Sequence, residues 1–292
     1  MKTFSIAELE QYTLIKAHTF RTWELRYDVF KSRRSATNLR FYTLEDLAFL
    51  LGFSLLNRLG NRVSTLASLN RAQITNRISQ LKDSSARQQH RINQLIMCTF
   101  SLDFELFERL LNEAVEEWGI GQTIDEVILP LMERLALFSF KGRTSIEYHF
   151  VVTVIRQKMM LGIERAQPQQ SQSESVVLYL PEGEHFDLLL LYVYYNLQKA
   201  GFKTLYFGTD VSAKNIQAVV KKTQPHLAVM YVYGNKNQTV KKIADYLPER
   251  DAVTTLIATP GTFLSTVSPS PLARARFVDY KHVVAEAMKQ FS

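Results

Sequence analysis

Apolar positions recur at helical spacing through the first half of the chain and in short β-rich runs through the second. Ser5 to about Gln11 predicts a short helix, followed by a tight polar turn, a second helix from near Ala17 and an Arg-rich extended stretch ending at Tyr42. Ser5 with Glu8, and Thr43 with Asp46, predict helix starts, because each hydroxyl can accept a backbone N–H left free at a helix end. Leu47, Leu50 and Leu51 continue the second start as an amphipathic helix, and a further helix around Val63–Leu69 closes this block near residue 80. Arg71 to Arg91 is polar and helical in pattern and reads as a connection. From about 92 to 165 the pattern stays helical, with Phe104, Phe107, Leu110, Leu111 and Ala114 on one face. Thr123 with Glu126, and Thr144 with Glu147, predict the next two starts.

The stretch AQPQQSQSES, 166–175, has no apolar anchor and predicts a flexible linker. Beyond it SVVLYL, KTLYFG, LAVMYVY and TTLIAT predict short strands, separated by helical stretches at 187–200, 213–223 and 236–246. ARFVDY adds a fifth strand before a terminal helix at 280–290. This alternation predicts a parallel sheet with helices on both faces. A ligand of such a sheet sits at the carboxyl ends of its strands, here the loops 181–187, 208–212, 233–236 and 259–263. The predicted organisation is a head over 1–80, a helical bundle over 81–165, a linker over 166–175 and an α/β domain over 176–292.

Charge separates these blocks. The chain is +7, but residues 1–91 hold 15 Lys+Arg against 7 Asp+Glu, a balance of +8, whereas the remainder holds 20 against 21. A basic excess confined to one module is what phosphate neutralisation calls for. Two helices joined by a turn, with Arg21, Trp23 and Arg26 on the second and Asn38, Arg40 and Tyr42 beyond it, suit a major groove bordered by phosphates. Cys98 is the only cysteine, so neither a disulfide framework nor a Cys-based metal cluster is expected. The start MKTFSIAELEQY lacks an apolar signal core, and no apolar run reaches the ~18 residues of a membrane span. These features lead us to expect a cytoplasmic, nucleoid-associated protein without a membrane partner. No Gly-x-Gly-x-x-Gly after a strand, P-loop or His-Glu-x-x-His is present, and no nucleophile accompanies His185 and Asp187, so no enzyme is expected.

The run KAHTFRTWELRY followed by RRSATNLRFYTLEDL resembles the winged helix-turn-helix of MerR-type transcription regulators, over roughly the first 70 residues. The resemblance implies that Lys16, His18, Thr19, Arg21 and Arg26 face the groove or its rim. It further implies that Tyr27, Arg34, Asn38, Arg40 and Tyr42 hold phosphates; Trp23 is either a contact residue or a core aromatic. The fold class implied is multidomain: an all-α winged helix-turn-helix head, a helical bundle, then an α/β flavodoxin-like parallel sheet.

The order of the three blocks also resembles the cobalamin-binding MerR relatives that sense adenosylcobalamin, and through it light. Their cobalt-coordinating loop has Gly-Glu, one residue, a His, and a Gly three residues later. Here the loop reads Gly183, Glu184, His185, Phe186, Asp187, Leu188, Leu189, so the His position falls on Phe186 and a leucine stands where a small residue is needed. On the bundle, the family's Trp and Glu-His positions read Phe138, Tyr148 and His149. The turns after the third and fourth strands read Tyr231-Val-Tyr233 and Pro260-Gly261. With large residues at small-residue positions, no cofactor is expected. Cobalamin binding, with His185 or His149 as axial ligand, is the alternative that the resemblance implies.

The expected function is a sequence-specific regulator of double-stranded promoter DNA, acting as a homodimer or homotetramer, with repression implied by the cobalamin-type relatives. One alternative is a genuine adenosylcobalamin- or light-sensing regulator. Another is a regulator controlled by a protein partner on the C-terminal domain.

Overall fold

The computed structural model describes residues 2–30, 32–34, 38–135, 145–168, 172–231, 245–246, 253–259 and 275–291. The chain divides into two compact units, Met1–Ile155 and Arg156–Ser292.

In the first unit, Ser5 and Thr43 start helices as predicted, each in a reciprocal capping box with the acidic residue three positions on. Helix α1 (Ile6–Thr13) ends at Leu14 in the left-handed region, and the chain turns directly into α2 (Ala17–Tyr27). Three short strands, β1 (Thr3–Phe4), β2 (Arg33–Arg34) and β3 (Arg40–Thr43), pair antiparallel in the order β1-β3-β2. The helical head thus carries a small sheet, and β2–β3 forms the wing.

The core of the head is an aromatic relay. Tyr42 meets Phe30, Phe30 meets Phe20, Phe20 meets Trp23, and Trp23 meets Phe53 of α3 (Leu44–Arg58), with ring centroids 5.1–5.9 Å apart. Edge-to-face and tilted pairs at this spacing add to the area the rings bury.

Helix α4 (Val63–Ala67) follows. Arg71–Arg91 is not a mere connection: α5 (Arg71–Ser79) lays Ile74 and Ile78 over Gly52 of α3. A β-carbon at Gly52 would lie 2.8 Å from Ile78 Cδ1, so the absent side chain is what admits α5. Helix α6 (Ser84–Ser101) also packs on α3, and α7 (Phe104–Thr123) packs on α6.

Thr123 does not start a helix. Its hydroxyl donates to the Gly119 carbonyl at 2.8 Å, and the chain continues through a π-helical turn, Ile124–Ile128, into α8 (Leu129–Arg134). The real interruption is one turn earlier, at Gly119 (φ 78°), a conformation that side chains rarely adopt. Thr144 lies outside the described residues. Helix α9 (Ile146–Glu164) starts just after it, where the Ser145 hydroxyl accepts from the Tyr148 N–H at 3.2 Å.

The second unit contains a five-stranded parallel sheet: β4 (Ser175–Tyr179), β5 (Lys203–Tyr206), β6 (Leu227–Tyr231), β7 (Thr254–Thr259) and β8 (Ala275–Asp279). Its order, β5-β4-β6-β7-β8, is the flavodoxin-like one, with the strand order reversing between β4 and β6. The near-continuous burial of β4, β6 and β7 explains why their sequences are unbroken apolar runs.

Helix α10 (Leu188–Lys199) packs on β4, β5 and β6 and against α12 (Val283–Gln290). Helix α11 (Ala213–Thr223) sends Ile216 and Val220 into the cluster of Val177, Tyr179, Ala228, Met230 and Ile257. Of the predicted helix at 236–246, only Asp245 and Tyr246 are described.

Candidate nucleic-acid interface

Phe20 and Trp23 turn one face of α2 into the core, and the residues three and four apart on the other face stay outside. That outer stripe is His18, Arg21, Thr22 and Leu25, with Arg26 beside it. Thr19 is half-buried, and Tyr27 is partly exposed at the end of the helix. Leu25 is 87% exposed, an unusual position for a large apolar side chain within a helix.

Lys16 is outside as well, but it is committed locally. Its Nζ lies 2.9 Å from Glu10 Oε1, while Glu10 Oε2 accepts the N–H of Ala17, the first residue of α2. The Lys16 hydrogen bond, followed by that of Ala17, holds the Glu10 carboxyl below the usual carboxylate range. This pair caps the turn between the two helices.

The wing brings Arg33, Arg34 and Arg40 together on exposed backbone, in the register Arg33↔Phe41 and Arg34↔Arg40. Asn38 adopts φ 61°, and its Oδ1 accepts from Arg34 Nη1 at 2.7 Å, so it shapes the hairpin. Glu24, on the inner edge of α2, accepts from Ser32 and lies 4.0 Å from Arg40. The sequence reading passed over Glu24, Ser32, Thr22, Leu25 and Arg33. An acidic residue in the middle of a basic helix was the available signal for Glu24.

Trp23, which the resemblance leaves open between contact and core, and Tyr42, which it assigns to a phosphate, both pack inside the head. Trp23 is 5% exposed and Tyr42 1%, both inside the aromatic relay. The Tyr42 hydroxyl is buried as well. Burial, and then the nearby Glu24 carboxylate, raise the pKa of the Tyr42 hydroxyl. Both residues shape the head from within.

The second unit holds the loops where a ligand of this fold would sit. Gly183, at φ 83°, donates its N–H to Asp210 Oδ1 at 2.8 Å, and Pro181 bridges Val211. The Tyr246 hydroxyl accepts from the Glu182 N–H at 3.1 Å, and Tyr179 donates its hydroxyl to the Tyr246 carbonyl. Asp187 is chelated by Arg156, whose Nε lies 3.1 and 3.0 Å from the two carboxylate oxygens and whose Nη2 lies 2.7 Å from Oδ1. Asp187 is therefore spent on Arg156 and not on His185.

This loop does not fit a corrin seated as the resembled family seats it. Phe186, at the cobalt-ligand position, is buried and offers no ligating atom. Leu188 and Leu189 are fully buried in the core. His185 is exposed one residue earlier, and Tyr231 is fully buried at the end of β6. In the first unit, His149 is exposed on α9 and Tyr148 is half-buried beside it. Phe138, Tyr233, Pro260 and Gly261 lie outside the described residues, as do most of the loops 233–236 and 259–263. Among the described residues, no helix is long and apolar enough to cross a membrane.

Comparison with known proteins agrees with these two halves. Residues 4–66 match the MerR HTH family regulatory protein. The chain is 23% identical over 233 residues to the HTH-type transcriptional repressor CarA of Myxococcus xanthus, covering 78% of this chain and 76% of that protein. Among solved structures, the monomethylamine corrinoid protein of Methanosarcina barkeri superposes with a TM-score of 0.54 at 13% identity, over 69% of this chain and 99% of that one. At that identity the likeness establishes the fold alone. With a match to the MerR HTH family at residues 4–66 and a relative named a transcriptional repressor along most of its length, the protein is a DNA-binding transcriptional regulator.

Proposed function

We propose that α2 enters the major groove with Lys16, His18, Thr19, Arg21 and Arg26 at the groove or its rim, and that Tyr27, Arg34, Asn38 and Arg40 hold the flanking phosphates. The observation that carries this reading is the exposed stripe of α2 lying beside an arginine-lined hairpin in the one basic block of the chain. The protein binds its promoter as a homodimer or homotetramer, since one small head covers too little DNA to be selective. It acts as a repressor in the cytoplasm, at the nucleoid; the similar protein of M. xanthus is named a repressor. The C-terminal α/β unit serves as an oligomerisation and control module that works without a corrin, because Phe186, Leu188 and Leu189 occupy the family's cobalt-ligand and small-residue positions. A protein partner on this unit is the control it would then take.

Selection of duplexes from a random pool by the full-length protein tests the DNA-reading assignment. A recovered consensus whose affinity falls with Arg21→Ala supports it. A consensus indifferent to Arg21 and Arg26 overturns it.

A second reading, cobalamin or light sensing through His185 or His149, is favoured by the corrinoid-protein fold. Incubation with adenosylcobalamin in the dark, desalting and a visible spectrum decide between the two. A retained corrin band establishes the second reading, and a colourless protein the first.

A further inference from the structure

A cavity of about 330 Å³ opens in the first unit between α3, α5 and α6. Leu51, Ile78, Met97 and Cys98 give it apolar walls, and His90, Asn93 and Gln94 line it along α6. Its size lies within the roughly 300–1,000 Å³ range of small-molecule sites, and a few convergent polar groups on an apolar lining are typical of them. No Asp, Glu, Lys or Arg lines it. Burial and the neighbouring Arg91 push the His90 imidazole below its usual pKa, which disfavours its charged form. With no charged side chain in its wall, the lining favours a neutral ligand.

Asn93 decides what the ligand carries. Its side chain is 4% exposed, and it donates Nδ2 to the Leu51 carbonyl at 3.0 Å and accepts at Oδ1 from Arg134 Nη2 at 2.7 Å. A carboxamide has two N–H donors and two oxygen lone pairs, so one of each remains beyond these bonds. A hydroxyl or a primary amide satisfies both at once.

Asn93 is also the start of a buried polar chain. Arg134, 3% exposed, donates Nε to the Tyr12 carbonyl at 2.7 Å, and its Nη2 meets the same oxygen. Tyr12 lies two residues before Leu14, whose left-handed backbone turns α1 into α2. A ligand that engages Asn93 therefore acts on the group that holds Arg134 against the helix-turn-helix turn.

We propose that this cavity binds a small, neutral, largely apolar effector bearing a hydroxyl or amide group, and that Asn93 and Arg134 transmit its occupancy to the DNA-reading helix. The proposal rests on the head binding DNA, and the test separates the two.

The full-length protein is titrated with 2-naphthol, an aromatic molecule with one hydroxyl, and its fluorescence anisotropy is followed without DNA. Saturable binding to the wild type is expected, weakened about tenfold or more by Ala48→Trp at the cavity's exposed rim. If that variant fails to fold, Ser79→Trp, also exposed on the rim, takes its place. Saturating 2-naphthol should change affinity for the selected duplex by about fivefold or more, within the common range of allosteric couplings. No saturable binding, or binding indifferent to the rim substitution, overturns the site. Binding that leaves duplex affinity unchanged overturns the transmission. Because naphthol binding is read without DNA, a failure of the head to bind duplex leaves the cavity result standing.

Discussion

Ser32 donates both its backbone N–H and its hydroxyl to the same carboxylate oxygen of Glu24, at 2.9 and 2.7 Å. This fastens the chain entering the wing to the middle of the recognition helix. Both residues are half-buried, and the second Glu24 oxygen lies 4.0 Å from Arg40 on the other strand of the hairpin. One carboxylate thus sets the angle between the element that enters the groove and the element that lies along the backbone.

Glu24→Ala should remove both bonds and cost about 1.5–3 kcal/mol of stability, the range for a hydrogen bond to a charged acceptor. Duplex affinity should fall with it, although no contact to DNA is deleted. Urea unfolding and anisotropy with labelled duplex measure the two effects. A variant with native stability and native affinity would show that the Ser32 tie is idle.

Arg40→Ala should weaken binding to all sequences alike. Loss of one phosphate contact reduces the slope of log K against log salt by about 0.9. Titrations at several salt concentrations, on the selected duplex and on an unrelated one, read this directly. An unchanged slope removes Arg40 from the phosphate contacts and leaves it as the partner of Glu24.

Cys98 should be nearly inert in the native protein. Burial, with Asp103 nearby, pushes its thiol up to about 11, so at pH 8 the thiolate fraction is about a hundredfold below that of an ordinary thiol. Iodoacetamide labelling, followed by intact mass, should be slow in buffer and rapid in urea. Labelling at the same rate in both would mean that α6 is not packed on α3 in solution.

Lys2 and Glu147 pair at 2.6 Å, joining the first strand to the start of α9. The hydrogen bond from Lys2 holds the Glu147 carboxyl below its usual range. A depressed acid contributes stability that is present above its unfolded value of 4.5 and is lost as pH falls through the folded one. Lys2 is 40% exposed and screened by water, so the pair contributes under about 1 kcal/mol. Lys2→Ala should be slightly less stable than wild type at pH 7, with the gap narrowing as the pH falls below 4.5. A gap that persists in acid would assign the effect to lost packing on Phe100, over whose ring Lys2 also lies.

Much of the fold was legible because its signals are local. Ser5 and Thr43 announced their helices because a capping box is complete within four residues. The three central strands of the second unit, β4, β6 and β7, were readable as unbroken apolar runs because a parallel sheet buries both of their faces. Thr123 misled because a hydroxyl three residues before an acid is only half of a cap. Its bond to the Gly119 carbonyl continues a helix just as well.

What the sequence by itself determined, then, was the order of the blocks, the basic head, the strand and helix periods and a departure at Phe186 from the resembled family's loop. The tertiary structure decided which side chains of the head remain available. Trp23 and Tyr42 carry the same amphipathic chemistry as contact residues, and only packing on Phe20, Phe30 and Phe53 assigns them to the interior. It also decided the partners of Glu24, Asp187 and Arg134, whose bonds span 8, 31 and 122 residues of chain. Periodicity reports which face of an element is apolar. It carries no information about what that face meets, and such long-range pairs exist only once the elements have packed.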